Sequence, residues 1–156
     1  MHSHAVDILL VEDNPDDLEL ALHALRKENL ANRIQVARDG EEALDYIFSR
    51  GDYAGANGYN IPKLILLDLK LPKVDGIEVL RQIKTHPRTK TIPVVILTSS
   101  TEQRDLVEGY SLGVNGYIQK PVDFDQFRDT VKQIGLFWLV INEPPPATAS
   151  SGNQVS

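Results

Sequence analysis

A carboxylate, hydroxyl or ammonium group ends four of the apolar stretches of this chain. These groups belong to the acidic pair Glu12 and Asp13, to Asp68, to Thr98 and to Lys120. Apolar stretches of this kind predict buried strands, as in a parallel sheet. Because the carboxyl ends of parallel strands meet at one edge of the sheet, we expect the five side chains to share one pocket.

This pocket would suit phosphoryl chemistry. Three carboxylates repel one another unless a cation joins them. Only oxygen ligands are available, so the predicted cation is Mg²⁺, held by Glu12, Asp13 and Asp68. The metal and the Lys120 ammonium would then neutralise an incoming phosphoryl group. Asp68 is the predicted nucleophile.

Each of these side chains has a simpler interpretation when it is considered alone. Asp68 could cap the next helix, Thr98 could be an ordinary strand-end hydroxyl, and Lys120 could be a solvated charge. The acidic pair could be a charge cluster at a helix start. Their joint placement at the ends of four strands favours the shared pocket.

Five β-α units in alternation would position these residues. The predicted strands cover residues 6–11, 33–37, 64–68, 93–98 and 115–119. A helical pattern follows each strand, with capping signals at Asn14-Pro15, Asp39 and Asp123. The alternation predicts an α/β fold, a flavodoxin-like doubly wound parallel sheet of five strands in the order 2-1-3-4-5 with helices on both faces.

Composition limits the function classes further. The 156 residues carry a net charge of −6 and include no cysteine, which excludes a thiol nucleophile and thiolate metal sites. Lys and Arg are scattered, so no nucleic-acid partner is expected. No apolar run approaches the roughly 20 residues of a membrane span. A cytoplasmic protein without a membrane partner is predicted.

The end of the chain predicts an interface. A single domain over residues 1–142 would end in a helix that extends from Phe124 to Ile141, followed by a Pro-rich disordered tail at 143–156. Six consecutive apolar residues near its end cannot all face one sheet. Collapse beneath the loop 51–62 is one outcome. The preferred prediction is a symmetric homodimer, with an interface built from Phe137, Trp138, Leu139 and Ile141.

Taken together, the motifs resemble the receiver domains of two-component response regulators. The likeness covers residues 6–133 and rests on Leu10-Val11-Glu12-Asp13, Asp68 with Pro72 and Asp75-Gly76, Thr98-Ser99, and Lys120-Pro121. It implies a phosphorelay function in which Asp68 accepts a phosphoryl group from the phosphohistidine of a histidine kinase. Such a protein is a phosphoryl acceptor and not a turnover enzyme.

The resemblance also implies a ligand set for the metal. Asp13 and Asp68 would bind Mg²⁺ directly, and Glu12 would contribute to the metal site. The backbone carbonyl of Lys70 would be a further ligand.

Other roles follow from the same resemblance. Lys120 would pair with one phosphoryl oxygen, and its bond to Pro121 looks like the family's cis peptide. Thr98 would hydrogen-bond another phosphoryl oxygen and swing inward. Tyr117 would follow as the aromatic switch.

A narrower likeness concerns the loop 51–62 and the segment 135–145. Both resemble the small single-domain regulators that partner phytochrome-type histidine kinases. No second effector domain of any size follows residue 142, so signalling is expected to occur by protein contact.

Three other functions are less well supported by the residues. A phosphatase of the aspartyl-phosphate type needs a second acid two residues after its nucleophile, where this chain has Lys70. A flavin-binding module would place a phosphate where Glu12, Asp13 and Asp17 would repel it. A phosphorylation-independent adaptor that only keeps the fold would not require the complete set of polar residues.

Overall fold

The computed structural model describes residues 6–26, 33–55, 58–98, 109 and 111–136. Strands and helices alternate along the chain. They are β1 (Ile8–Val11), α1 (Pro15–Arg26), β2 (Ile34–Ala37), α2 (Gly40–Phe48), a 3₁₀ helix (Gly51–Tyr53), β3 (Leu64–Asp68), α3 (Gly76–Thr85), β4 (Val94–Thr98), β5 (Gly116–Gln119) and α4 (Phe124–Gln133). Helical residues 111–112 also precede Gly113, whose φ is +95°.

The five strands form one parallel sheet in the order β2-β1-β3-β4-β5. In the central pair, Ile8 of β1 lies opposite Leu64 of β3. The order and the parallel direction confirm the prediction. The switch between β1 and β3 therefore opens a crevice at the carboxyl edge of the sheet, which is where ligands bind in open α/β sheets.

Helices cover both faces of the sheet because successive strand residues point to opposite sides. Leu9 and Val11 pack with α2 and α3 in one core, whereas Ile8 and Leu10 pack with α1 and α4 in the other. All four residues of β1 and all five of β3 are buried. Burial on both faces explains why these strands are uninterrupted apolar sequences.

Side-chain caps start three of the helices at the carboxyl edge of the sheet. Asn14 Oδ1 accepts from the Asp17 N–H at 3.0 Å, so α1 begins at Pro15 as predicted. Asp39 and Asp123 cap α2 and α4 by accepting from the N–H groups three residues on, at 2.7 and 2.8 Å. These caps satisfy backbone donors that a helix leaves unpaired.

The prediction of one continuous helix from Phe124 to Ile141 is wrong at residues 134–136. The helix ends at Gln133, and Gly135 adopts a left-handed φ of +84°. The Leu136 N–H donates to the Val131 carbonyl at 2.7 Å, and the Gly135 N–H donates to Lys132 at 3.2 Å. This pair of bonds is a Schellman motif, which glycine favours because it has no Cβ. Residues 137–156, including the predicted tail, lie outside the described residues.

The first residues of the loop 51–62 form the 3₁₀ helix Gly51–Tyr53, which contacts α2. This helix places the Tyr53 hydroxyl where it donates to Glu42 Oε2 at 3.0 Å, and the Tyr53 ring meets Tyr46 edge-on with centroids 5.2 Å apart. These contacts fix the start of the loop to α2. No helix among the described residues is long and apolar enough to cross a membrane.

Candidate functional site

The strand register brings the predicted polar residues to neighbouring strand ends. Asp68, the last residue of β3, lies opposite Leu97 of β4, and Thr98 lies opposite Gln119 of β5. The Lys120 N–H donates to the Thr98 carbonyl at 2.7 Å, which continues the pairing one residue past β5. Asp68, Thr98 and Lys120 thus end three adjacent strands at the same edge.

The Lys120 ammonium lies at the centre of the pocket. Its Nζ is 2.8 Å from Asp68 Oδ2, 3.1 Å from Glu12 Oε1 and 3.1 Å from Asp17 Oδ2. The side chains of Glu12, Asp68 and Lys120 are only 1%, 8% and 9% exposed. The predicted association of these three residues is present in the structure, and the ion pairs are shielded from solvent.

One ammonium does not balance the negative charge of this pocket. Burial, together with the hydrogen bond and charge of Asp68, raises the pKa of Glu12 from 4.5 to about 7, although the Asn14 N–H and Lys120 act in the opposite direction. Burial lowers the pKa of Lys120, but its contacts with Asp68, Asp17 and Glu12 outweigh this and raise it. The pocket therefore favours a proton or a further cation at neutral pH.

The Asp68 carboxylate is oriented at both oxygens. Oδ1 accepts from the backbone N–H of Lys70 at 3.0 Å, and Oδ2 accepts from Lys120 at 2.8 Å. Asp68 is 5% exposed and is anchored in the central strand. A carboxylate with fixed orientation beside a cation is suited to nucleophilic attack on an electron-poor phosphorus.

Asp17 is the site residue that the sequence analysis missed. Asp17 lies in the first turn of α1, where a carboxylate also interacts favourably with the helix dipole. In the structure its side chain, 30% exposed, also binds Lys120, which is 103 residues away in the chain. The sequence around Asp17 carries no signal that distinguishes this contact from an ordinary acidic residue in a first helical turn.

The remaining predicted metal ligands are Asp13 and the backbone carbonyl of Lys70. Asp13 is exposed at the start of the β1-α1 loop, and its carbonyl accepts from Arg38 Nη2 at 3.5 Å. The backbone N–H of Lys70 donates to Asp68 Oδ1, so the Lys70 backbone lies beside the Asp68 carboxylate. Within the described ranges, no three acidic or histidine side chains form a ready-made ligand set. The Lys120 ammonium lies among the carboxylates instead, and the Mg²⁺ site stays a prediction.

Thr98 and Tyr117 belong to β4 and β5, the two strands that follow the Asp68 strand in the sheet. Thr98 is half-buried at the end of β4. Tyr117 is half-buried in β5 and packs on the core that includes α2 and α3. Its hydroxyl would be 2.8 Å from a Cβ built on Gly109, so a larger residue there would crowd the ring. The predicted interface residues lie outside the described part of the chain: Phe137, Trp138, Leu139 and Ile141.

Curated proteins of similar sequence include regulators from an archaeon and a cyanobacterium. The chain is 46% identical over 138 residues to the probable methanogenesis regulatory protein FilR2 of Methanothrix harundinacea, covering 88% of this chain and 86% of that protein. It is 40% identical over 132 residues to the response regulator Rcp1 of Synechocystis sp., covering 85% and 88%. Both alignments extend over most of each protein.

Solved structures of similar fold include two regulators described as phytochrome response regulators and a metal-bound form of a third response regulator. The bacteriophytochrome response regulator AtBRR is 54% identical, with a TM-score of 0.77 and coverage of 87% of this chain and 96% of that one. The phosphorylated cyanobacterial phytochrome response regulator RcpA is 44% identical, with a TM-score of 0.71 and coverage of 88% and 96%. The Mn²⁺-bound form of Rcp1 is 39% identical, with a TM-score of 0.71 and coverage of 91% and 99%.

The family profile described as "Response regulator receiver domain" matches residues 8–132. This range begins at β1, ends in α4 and includes the whole Lys120 pocket. The strand order, the acidic pocket at the carboxyl edge and the similarity to Rcp1 and RcpA agree with this assignment. The chain therefore belongs to the response regulator receiver domain family.

Proposed function

We propose that the chain is a single-domain response regulator that accepts a phosphoryl group from a sensor histidine kinase on Asp68. The observation that carries this proposal is the 2.8 Å contact between Asp68 Oδ2 and the buried Lys120 ammonium at the end of the central strand. Asp68 is the last residue of the central strand β3, and its carboxylate is oriented by the Lys70 N–H at one oxygen and by Lys120 at the other.

The transfer replaces one bond to phosphorus with another. An Asp68 carboxylate oxygen attacks the phosphorus while the bond to the kinase imidazole nitrogen breaks, and the imidazole keeps the electron pair and takes up a proton. The charge that develops on the phosphoryl oxygens is met by Lys120 and, after an inward movement, by the Thr98 hydroxyl. Tyr117 then follows Thr98 and carries the change to the surface.

A divalent cation, Mg²⁺, is part of this proposal. The residues fit such an ion because Glu12, Asp17 and Asp68 supply only oxygen ligands and outnumber the single ammonium. The raised pKa of Glu12 reflects the same excess of negative charge. Asp13, Asp68 and the Lys70 carbonyl would hold the ion, with a contribution from Glu12. When bound, it supplies positive charge that neutralises phosphoryl oxygens.

The donor that we propose is a phytochrome-type histidine kinase in the cytoplasm. AtBRR and RcpA, which are similar over most of their length, are described as phytochrome response regulators. Signalling would occur by protein contact rather than by enzymatic turnover. A homodimer that uses Phe137, Trp138, Leu139 and Ile141 is proposed from the apolar sequence alone.

Phosphorylation of variants tests the proposed function. Wild-type protein incubated with acetyl phosphate, or with a phosphorylated phytochrome-type kinase, and Mg²⁺ should take up one phosphoryl group. Asp68→Asn should take up none, because the amide cannot act as the nucleophile. Asp52→Asn is the matched control, since it removes an exposed carboxylate from the 3₁₀ helix far from Lys120. Comparable labelling of Asp68→Asn and Asp52→Asn would reject the assignment.

A further inference from the structure

Gln126, in the first turn of α4, makes an unusual set of contacts with the preceding strand. Its side-chain Oε1 accepts from the Gln119 N–H at 3.0 Å, and its Nε2 donates to the Gln119 carbonyl at 3.1 Å. The same Nε2 lies 3.2 Å from Asp123 Oδ2 and 3.5 Å from the Pro121 carbonyl. One side-chain amide thus contacts the strand end, the following turn and the helix cap.

These contacts compensate for the position of β5 at the edge of the sheet. An edge strand leaves backbone N–H and C=O groups without a neighbouring strand. Gln126 pairs with both outward groups of Gln119, as a residue in a neighbouring strand would. An ordinary capping box would instead direct this side chain to the backbone N–H of the cap residue Asp123. The Gln119 contacts are therefore additional to helix capping.

Gln119 immediately precedes Lys120, so its position affects the direction of the Lys120 side chain. On the inner side, the Lys120 N–H donates to the Thr98 carbonyl at 2.7 Å. On the outer side, Gln126 holds Gln119. From this doubly held backbone, the Lys120 side chain extends into the pocket and reaches Asp68 Oδ2 at 2.8 Å. A backbone that is held on both sides restricts the positions that the ammonium can occupy.

We propose that Gln126 is a positioning residue for the phosphorylation site, which acts by fixing the backbone from which Lys120 reaches Asp68. The inference rests on the proposed function of Asp68 as the phosphoryl acceptor. Gln126 itself does not touch the reacting atoms. Its contribution is geometric, because displacement of a charged group by about 1 Å can lower a reaction rate by as much as a hundredfold.

Two variants at this position separate positioning from folding. Gln126→Met keeps the length of the side chain without its amide, and Gln126→Ala removes both. Gln126 is half-buried on the surface, so neither change opens a core cavity and both variants should fold. Gln133→Ala is the control, because Gln133 is an exposed glutamine at the other end of the same helix.

The first measurement observes Lys120 directly. In protein with ¹⁵N-labelled lysine, the Lys120 ammonium should give a signal protected from solvent exchange, since it is buried and paired with carboxylates. The signal should persist in Gln133→Ala and weaken or vanish in both Gln126 variants. The second measurement is the rate of phosphorylation by acetyl phosphate with Mg²⁺, which should fall by about three- to tenfold in the Gln126 variants and stay unchanged in the control.

A double-mutant comparison completes the test. In a Lys120→Ala background, Gln126→Met should have no further effect on the phosphorylation rate, because its route of action has been removed. An unchanged Lys120 signal, an equal rate loss in the Lys120→Ala background, or the unfolding of both Gln126 variants would overturn the proposal. If wild-type protein accepted no phosphoryl group, the proposed function would fail, whereas the Lys120 signal would still decide whether Gln126 positions the ammonium.

Discussion

At the scale of single residues, the pocket is defined by an imbalance of charge. Lys120 faces three carboxylates, two of which are almost completely buried. Burial makes this imbalance costly, and the raised pKa of Glu12 is its consequence. A site of this kind is stabilised when it binds a divalent cation. The ion and Lys120 would then together neutralise the negative charge of a phosphoryl group.

Asp17→Asn should weaken Mg²⁺ binding by about three- to tenfold at low salt, because the variant removes a carboxylate that contacts Lys120 in the proposed metal pocket. The affinity is measured by calorimetric titration of each protein with Mg²⁺. Asp16→Asn is the control, since it changes the net charge equally at the neighbouring exposed position. If both variants lowered the affinity to the same extent, the effect would arise from net charge and the role of Asp17 would be rejected.

The sequence identifies some residues of the pocket better than others. Glu12, Asp68 and Lys120 were predicted to share a pocket because each stands at the end of an apolar strand. The carboxyl ends of parallel strands lie at the same edge of the sheet. Asp17 lies on a helix, and the direction of its side chain depends on how α1 packs against the sheet. Its sequence position also has a sufficient local explanation in the helix dipole. Local patterns therefore could not reveal its contact with Lys120.

At the scale of elements, the loop that follows Asp68 is packed against the start of α2. The Gly40 N–H donates to the Pro72 carbonyl at 3.3 Å, and a Cβ on Gly40 would lie 1.9 Å from the Val74 carbonyl oxygen. Lys73, with a left-handed φ of 69°, also reaches Asp39 at 3.6 Å. The loop is thus held by α2, and its position helps to fix the Lys70 N–H that orients Asp68.

Gly40→Ala should lower the free energy of unfolding by about 1–3 kcal/mol, because the new methyl group would overlap backbone atoms that cannot rotate away. Urea unfolding followed by circular dichroism measures the change. Gly116→Ala is the comparison, since its Cβ would meet two side-chain methyl groups and no backbone atom: that of Thr130 at 3.3 Å and one of Val95 at 3.9 Å. Equal stability of wild type and Gly40→Ala would contradict the close approach of the loop to α2.

The sequence predicts element starts more reliably than the end of the last helix. Asn14, Asp39 and Asp123 cap helices as expected, because their short side chains reach nearby N–H groups. The apolar pattern after Phe124 suggested one long helix, but Gly135 ends it through a Schellman motif. The apolar residues keep a helical spacing beyond Gly135, so the pattern did not indicate that this glycine ends the helix.

At the scale of the whole molecule, one parallel sheet brings distant segments of the chain to one edge. Glu12 and Lys120 are 108 residues apart but lie in contact because β1 and β5 run in the same direction. The alternation of strands and helices with right-handed crossovers predicts a doubly wound parallel sheet, for which the flavodoxin-like 2-1-3-4-5 is one of the common strand orders. The assembly state depends on residues after 136 and stays a prediction.

The proposed homodimer is tested by mass in solution. Unphosphorylated wild-type protein at tens of micromolar should have the mass of a dimer in light scattering. Phe137→Asp and Leu139→Asp should be monomers that retain the circular dichroism of the wild type. Leu20→Asp is the control, because Leu20 is an exposed apolar residue on α1. A monomeric wild type, or dimeric variants at 137 and 139, would reject the interface.

The most direct test of the account is to locate the phosphoryl group on the chain. Wild-type protein is phosphorylated with acetyl phosphate and Mg²⁺, treated with borohydride to reduce an aspartyl phosphate to homoserine, and mapped by peptide mass spectrometry. The account predicts homoserine at position 68 and at no other acidic position, because only Asp68 is a strand-end carboxylate oriented by Lys70 and Lys120. Homoserine at position 13 or 17 with intact Asp68 would contradict it.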